Sequence, residues 1–477
     1  MIEAWLTALG CMGTGAFLFR SVRGTNERLP LVVFLASYTL LFFVGAMGMH
    51  LDAQAYFQDW VASIGVQEAY LSKDQASAHL WSICSPYVSV PFGAWVATRV
   101  DLPRGGIGSI IRPLPSWIFA FLGWPFGTFF GFLGVCITGF HYLSKRSNED
   151  EAQDPKTNIV AFLVLWVIAA LLLIQTNALG SFFSFFRQYS LQEQLMDQRG
   201  NISIHMPFAF WILAYTVLPV FCAAALLSMP QGKGIIIKFL LVFATSWILF
   251  ANFYKSTVLF FFIFLIFCFR NEKPKSLVKP LLIVVIFGFI TLSAFYLTAS
   301  SLSQGEFNAY KLIQHYFYRL GTTQYYYTWI FPEHQPWMGL DISNSALNDA
   351  QVVYQYMYPG DSWNGAGSTA GPYICNAYAQ AGVPGVWAYG IICGALIQSG
   401  WRLAKPLPHP LNLVFRGRIL FIAFMAAQMA IRDLLFSGWG ITWAVLAILL
   451  IRSIQRNAHR HPMEESPGDH VPIPRNG

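Results

Sequence analysis

The chain has 477 residues, of which 55% are hydrophobic and only 11% charged, under half the roughly 25% charged share of a soluble domain. That balance excludes an ordinary cytosolic protein. The formal charge of +7 does not point to nucleic acid either, because the Lys and Arg lie in short loops between apolar blocks, where the positive-inside rule accounts for them.

Mean hydropathy is +0.49, and the apolar residues fall in blocks long enough to read as membrane spans. In chain order the blocks are 2–19, 29–49, 116–140, 158–178, 207–228, 234–251, 255–270, 280–299, 384–401, 419–435 and 437–451. Each is near the ~20 residues that cross ~30 Å of hydrocarbon. The pattern predicts an all-α, polytopic transmembrane helical bundle of eleven spans, or twelve if 81–98 also crosses. Pro86 and Pro91 interrupt that segment, and lipid leaves freed carbonyls unsatisfied, so it reads as an outer, partly inserted stretch. The first block has no basic region before it and no small-x-small site after it, so it is expected to be a retained span. Seven cysteines without Cys-x-x-Cys spacing predict neither a disulfide framework nor a zinc site.

Orientation follows from Arg452, Arg456 and Arg460 directly after the last block, which put the tail on the cytoplasmic side. Worked backwards, Arg402, Lys405, Arg416, Arg418, Arg270, Lys273, Lys233, Lys238, Lys145 and Lys156 all fall inside. Arg20, Arg23 and Arg28 join them only if 81–98 does not cross, which selects eleven spans. The resulting organisation is 1–50, N-terminal spans; 51–115, an external insertion; and 116–299, a membrane core with an external loop at 179–206. It continues with 300–383, a large external loop containing short helices; 384–451, C-terminal spans; and 452–477, a cytoplasmic tail.

The 300–383 loop carries Lys311 and Arg319 against Glu306, Glu333, Asp341, Asp349 and Asp361. It is crowded with aromatics, among them Tyr325-Tyr326-Tyr327, Trp329, Trp337 and Trp363, which a flexible linker would not contain. Lys311, His315 and Arg319 recur every fourth residue, so a helix there presents one cationic stripe, suited to a diphosphate or equally to snorkelling beside headgroups. Arg187 and Arg199 lie in the other external loop. Arg432, near the outer end of its span, either meets a ligand or pairs with Asp433, since an ionisable residue at span depth costs roughly 2.5–3.5 kcal/mol. Lys255 occupies a tight external turn, where it binds a ligand or snorkels. His334, in Phe-Pro-Glu-His-Gln-Pro-Trp, is a candidate acid or base unless incidental to its loop. No phosphate loop, zinc-protease motif or nucleophile elbow occurs, and no metal or cofactor is expected.

The run Asn376-Ala-Tyr378-Ala-Gln-Ala-Gly382-Val-Pro-Gly385, opening a late span, resembles the signature near the end of Wzy-type polymerases, which join lipid-linked oligosaccharide repeat units. Phe185-Phe186-Arg187, Tyr318-Arg319-Leu320 and Ala430-Ile431-Arg432-Asp433 keep the order of that family over residues 158–451. The chain departs from it in Phe253-Tyr254-Lys255-Ser256, which offers a point charge where many members have the fork of an Arg. In the 179–206 loop it also lacks an Arg followed eleven residues later by Gly, Arg187 and Gly200 being thirteen apart.

The resemblance implies a GT-C-like bundle in the bacterial inner membrane with its active face in the periplasm. It would make Arg319 and Arg432 catalytic and Arg187, Lys255 and Tyr378 substrate-binding, to which the readings from the residues themselves add His334 as catalytic and Arg199, Lys311 and His315 as substrate-binding. The partners implied are a polyprenyl-diphosphate-linked oligosaccharide, membrane lipid and a chain-length regulator protein. An O-antigen ligase and a lipid-linked oligosaccharide flippase or transporter are the rival expectations.

Overall fold

Every regular element among the described residues is helical. The structure, a computed structural model, describes residues 2–22, 24, 26–57, 67–99, 155–175, 210, 213–230, 234–250, 255–271, 321–339, 349–359, 371–430, 434, 440–441, 444–445, 447–449 and 451–452. Ile2–Ser21 (α1), Leu29–Leu51 (α2) and Tyr373–Ala404 are, among these residues, long and apolar enough to cross a membrane. Shorter apolar helices are Leu213–Ser228, Ile235–Phe250 and Thr257–Arg270. The predicted spans 116–140 and 280–299 lie outside the described residues.

The chain after α2 continues with Lys73–Cys84 (α3), Pro86–Arg99 (α4), Pro155–Gln175 (α5), Leu213–Ser228 (α6), Ile235–Phe250 (α7) and Lys255–Arg270 (α8). Then follow residues 321–330 (α9), Asp349–Met357 (α10), Tyr373–Ala404 (α11) and Leu411–Met425 (α12). One group of helices packs α4 against α11 and α1, with α3 beside them. The other packs α5, α6, α7 and α8, and α12 joins the two by touching α8, α2 and α11. The apolar side chains left exposed, such as Leu6, Leu9 and Phe17 on α1 and Ile236, Phe239 and Phe243 on α7, lie on helix faces that a bilayer would cover.

The α3–α4 rod contains 81–98, the segment read from the sequence as either an outer, partly inserted stretch or a twelfth span. Its start lies at one end of the bundle, where Gln75 Nε2 donates to the Trp329 carbonyl at 3.0 Å. Its finish lies at the other end, where Arg402 donates to the Ala97 carbonyl. Glu27 pairs there with Lys405 at 3.3 Å and accepts from Gln398. The two prolines are accommodated because Pro86 occupies the first helical position, whose N–H has no intrahelical acceptor anyway. Pro91 is buried inside α4, where neighbouring helices rather than lipid surround the freed backbone.

One difference from the sequence expectation concerns α12, which begins eight residues earlier than the apolar block at 419. Arg416 and Arg418 are therefore helical rather than loop charges. Arg418 is 1% exposed, with its guanidinium 5.7 Å from the Phe421 ring, and Arg416 lies 4.3 Å from the Trp401 ring. Long apolar stems and ring faces let both enter a packed helix.

Candidate functional site

At the α3 start of the bundle, α9 wedges between α2 and α3. Its first residue, Gly321, has no room for a side chain, since a β-carbon would sit 2.4 Å from the Ala46 nitrogen. Gln324 Nε2 donates to Ser82 Oγ at 3.3 Å. The start of α3 is held by a capping box, in which Ser72 Oγ accepts from the Gln75 N–H and Gln75 Oε1 accepts from the Ser72 N–H. Gln75 thus satisfies an orphan donor with its oxygen and ties α3 to α9 with its nitrogen.

The three consecutive tyrosines are packed inside, as an ordered segment rather than a flexible linker requires. Tyr325, Tyr326 and Tyr327 are 4%, 0% and 1% exposed, so their rings are core and are not available to a ligand. Buried phenols need partners, and the three reach two other segments of the chain. Tyr325 Oη accepts from the Leu71 N–H at 3.4 Å, Tyr326 donates to the Gln67 carbonyl, and Tyr327 donates to Asp349 Oδ2 at 3.1 Å. Burial pushes the Tyr325 phenol above its usual pKa, which keeps it neutral.

Asp349 opens α10, and its Oδ2 also accepts from Asn376 Nδ2. One carboxylate oxygen therefore joins α9, α10 and α11. Carboxylates are favoured in a helix's first turn, where N–H groups point outward.

Between α9 and α10 the chain turns sharply. The Ile330 carbonyl accepts from the His334 and Gln335 N–H groups at 2.8 and 3.0 Å. The exposed His334 ring packs on Trp329, centroids 4.5 Å apart, and stacks on Tyr356 at 6.1 Å. Gln335 Nε2 donates to Tyr356 Oη at 3.2 Å. Glu333 is exposed beside them, its Oε1 3.5 Å from Ser72 Oγ.

Trp337 then lies on Phe331, with ring centroids 6.3 Å apart and planes 14° from parallel, and its indole meets Tyr378 edge-on at 5.3 Å. Below it α11 is broken. Ala381 and Gly382 leave helical geometry, Gly382 at φ 64° and ψ −152°, a region open essentially to glycine alone. Pro384 has no N–H to offer Gln380. Instead, the Gly339 N–H donates to the Gln380 carbonyl at 3.2 Å, and the Met338 N–H donates to the Ala379 carbonyl at 2.9 Å. The turn after Trp337 thus completes the hydrogen bonding that the break leaves open.

Of the residues expected at a site, His334 belongs to this exposed shelf. Tyr378 is 2% exposed and buttresses Trp337, so its ring lies behind the surface where a ligand would touch. Lys255 begins α8. Arg187, Arg199, Lys311, His315, Arg319 and Arg432 lie outside the described residues. No protein-family model, curated protein or solved structure matches the chain. Among the described residues, no group of three or more His, Cys, Asp and Glu side chains is arranged to hold a metal ion.

Sequence reasoning missed a pair beside the shelf, buried His79 and half-buried His50. His79 Nδ1 lies 3.3 Å from His50 Nδ1, their rings stack at 5.4 Å, and Tyr325 meets His79 edge-on at 5.5 Å. For that bond one imidazole must donate and the other accept. His50 ends an apolar block and His79 follows a polar run, and nothing in spacing connects residues 29 positions apart.

Proposed function

We propose that this chain is a multi-pass inner-membrane glycosyltransferase, working at the Trp337–His334 end of the bundle and elongating a polyprenyl-diphosphate-linked glycan into a surface polysaccharide. The observation that carries the reading is the pairing of apolar, span-like helices with a shelf at one bundle end that displays Trp337, Glu333, His334 and Tyr356. A lipid-linked saccharide needs both: a bilayer for its polyprenyl chain and an outer surface with aromatic faces and polar groups for its sugars.

The chemistry asks little of the protein beyond placement and charge compensation. The acceptor hydroxyl oxygen forms a bond to the anomeric carbon, and the bond from that carbon to the diphosphate oxygen breaks. The diphosphate leaves with the electron pair, and the hydroxyl proton passes to a base. In this reading His334 takes the proton, because its ring is exposed while Trp329 and Tyr356 fix its plane. The family resemblance supplies Arg319, Arg432, Arg187 and Arg199, with Lys311 and His315, as the groups that neutralise the departing diphosphate, and periplasmic orientation of the shelf.

Purified protein in lipid nanodiscs, given lipid-linked repeat units, should convert them to a ladder of longer lipid-linked glycans. Unchanged single repeats would reject the reading. Transfer to a lipid A core without a ladder would establish the ligase instead, and movement of unmodified substrate across a proteoliposome bilayer would establish a transporter.

A further inference from the structure

We propose that Trp337 is the floor of a saccharide subsite, with the open part of its indole stacking on a pyranose ring and Glu333 accepting hydrogen bonds from that ring's hydroxyls. The inference deepens the proposed function and rests on it only for the identity of the glycan.

Trp337 is 40% exposed although three groups hold it from behind. Phe331 lies nearly parallel to one face, Tyr378 abuts it edge-on, and Gly382 leaves the space beneath it, where a β-carbon would come within 3.1 Å of the indole. With Phe331, Tyr378 and Gly382 against it, the indole still leaves part of its surface open. Packing alone does not require this arrangement. A tryptophan serving only the core would be covered on both sides, as Trp401 is at 1% exposure.

The helix break also makes the platform rigid. Trp337 is followed at once by Met338 and Gly339, whose N–H groups are bound to α11 carbonyls, so little ordering remains to oppose binding. Sugars present an apolar C–H face bounded by hydroxyls, and a flat, pre-positioned indole with acceptors at its edge matches both parts. The acceptors are close in the chain: Glu333, exposed, lies four residues before Trp337, and Gln335 two residues before it.

The competing use of an exposed tryptophan is as a bilayer-interface anchor. Its neighbours argue against that use, because Glu333 and His334 are polar and exposed. The lipid-facing surface of α1 instead shows Ile2, Trp5 and Leu6.

The test is saturation-transfer NMR on the full-length, detergent-solubilised protein with oligosaccharide released by mild acid from the cells' own lipid-linked pool. Wild type should show transfer to the ring C–H protons of one sugar. Trp337→Ala should lose that signal about tenfold, Trp337→Phe should keep a third or more, and Glu333→Gln should weaken binding about threefold. Thermal melting of each variant checks folding, and the exposed Glu333→Gln carries the test if Trp337→Ala does not fold. Wild-type binding by folded Trp337→Ala, or by Glu333→Gln where Trp337→Ala is unfolded, overturns the subsite, as does absence of binding by wild type; either result would favour the interface anchor. Sugar binding without ladder formation would remove the polymerase reading and leave the subsite standing.

Discussion

A β-carbon on Gly93 would sit 1.9 Å from the carbonyl oxygen of Ile391, so α4 and α11 meet backbone to backbone. Gly394 faces the Val90 carbonyl and Gly390 faces Ser89 Oγ in the same crossing, while Gly15 of α1 meets the Tyr87 carbonyl on another side of α4. Small residues permit such approaches, which apolar lipid does not itself drive. Gly93→Leu is therefore expected to separate the helices and cost several kcal/mol, beyond the roughly 1–3 kcal/mol of ordinary overpacking. Gly13→Leu is the control, because nothing lies within 4 Å of its β-carbon position. Size-exclusion profiles and melting temperatures of the two variants should differ sharply, and a monodisperse, wild-type-like Gly93→Leu would contradict the close crossing.

The same crossing bears on topology. Residues 73–99 form about 40 Å of helix at 1.5 Å per residue, enough to traverse ~30 Å of hydrocarbon. The rod runs from Gln75, bonded to Trp329, to Ala97, bonded to Arg402. In a cysteine-free background, Ser72→Cys should react with an impermeant thiol reagent in intact spheroplasts, and Arg99→Cys only after permeabilisation. Labelling of both in intact spheroplasts would return the segment to one side of the membrane and restore the eleven-span count.

How much of this was legible in the sequence depends on the interaction. The helical, apolar character was readable because span length and hydropathy are properties of contiguous residues, and α2 and α8 fall close to their predicted blocks. Arg416 and Arg418 misled as loop markers because charge alone does not reveal that Trp401 and Phe421 lie ready to receive them. The three tyrosines mark an ordered segment in the sequence, but their partners Leu71, Gln67 and Asp349 are tertiary and no local pattern names them. Gly382 and Pro384 are helix-breaking residue types, legible in the sequence as a helix junction. That the junction seats Trp337, some 45 residues earlier in the chain, depends on a tertiary contact that no local pattern encodes.

Asp349 is expected to be a structural hub as well as a neighbour of the shelf. Removing one donor should leave the other, so Tyr327→Phe should cost about 1 kcal/mol, within the range for one hydrogen bond. Asp349→Ala removes the acceptor of both Tyr327 and the half-buried Asn376 at once and should cost about 2–4 kcal/mol, read as a lower melting temperature in detergent. If the two variants melted alike, the carboxylate would not be joining α9, α10 and α11 in the way the geometry describes.

Gly382 offers the sharpest separation between seating Trp337 and folding the chain. Its φ of 64° with ψ of −152° excludes side-chain-bearing residues on backbone grounds, at roughly 1–3 kcal/mol. Asparagine, which tolerates the left-handed helical region, should not rescue a position outside it. The β-carbon of Gly382→Ala would also press on the Trp337 indole at 3.1 Å and displace the platform. Pro384→Ala makes the contrast, since it keeps Gly382 and leaves the space beside the Trp337 indole unfilled. Melting temperatures and saccharide saturation transfer should both fall in Gly382→Ala, with the larger loss in binding, and both should stay near wild type in Pro384→Ala. Equal binding by Gly382→Ala and wild type would mean that the break in α11 serves the helix alone and does not set the position of Trp337.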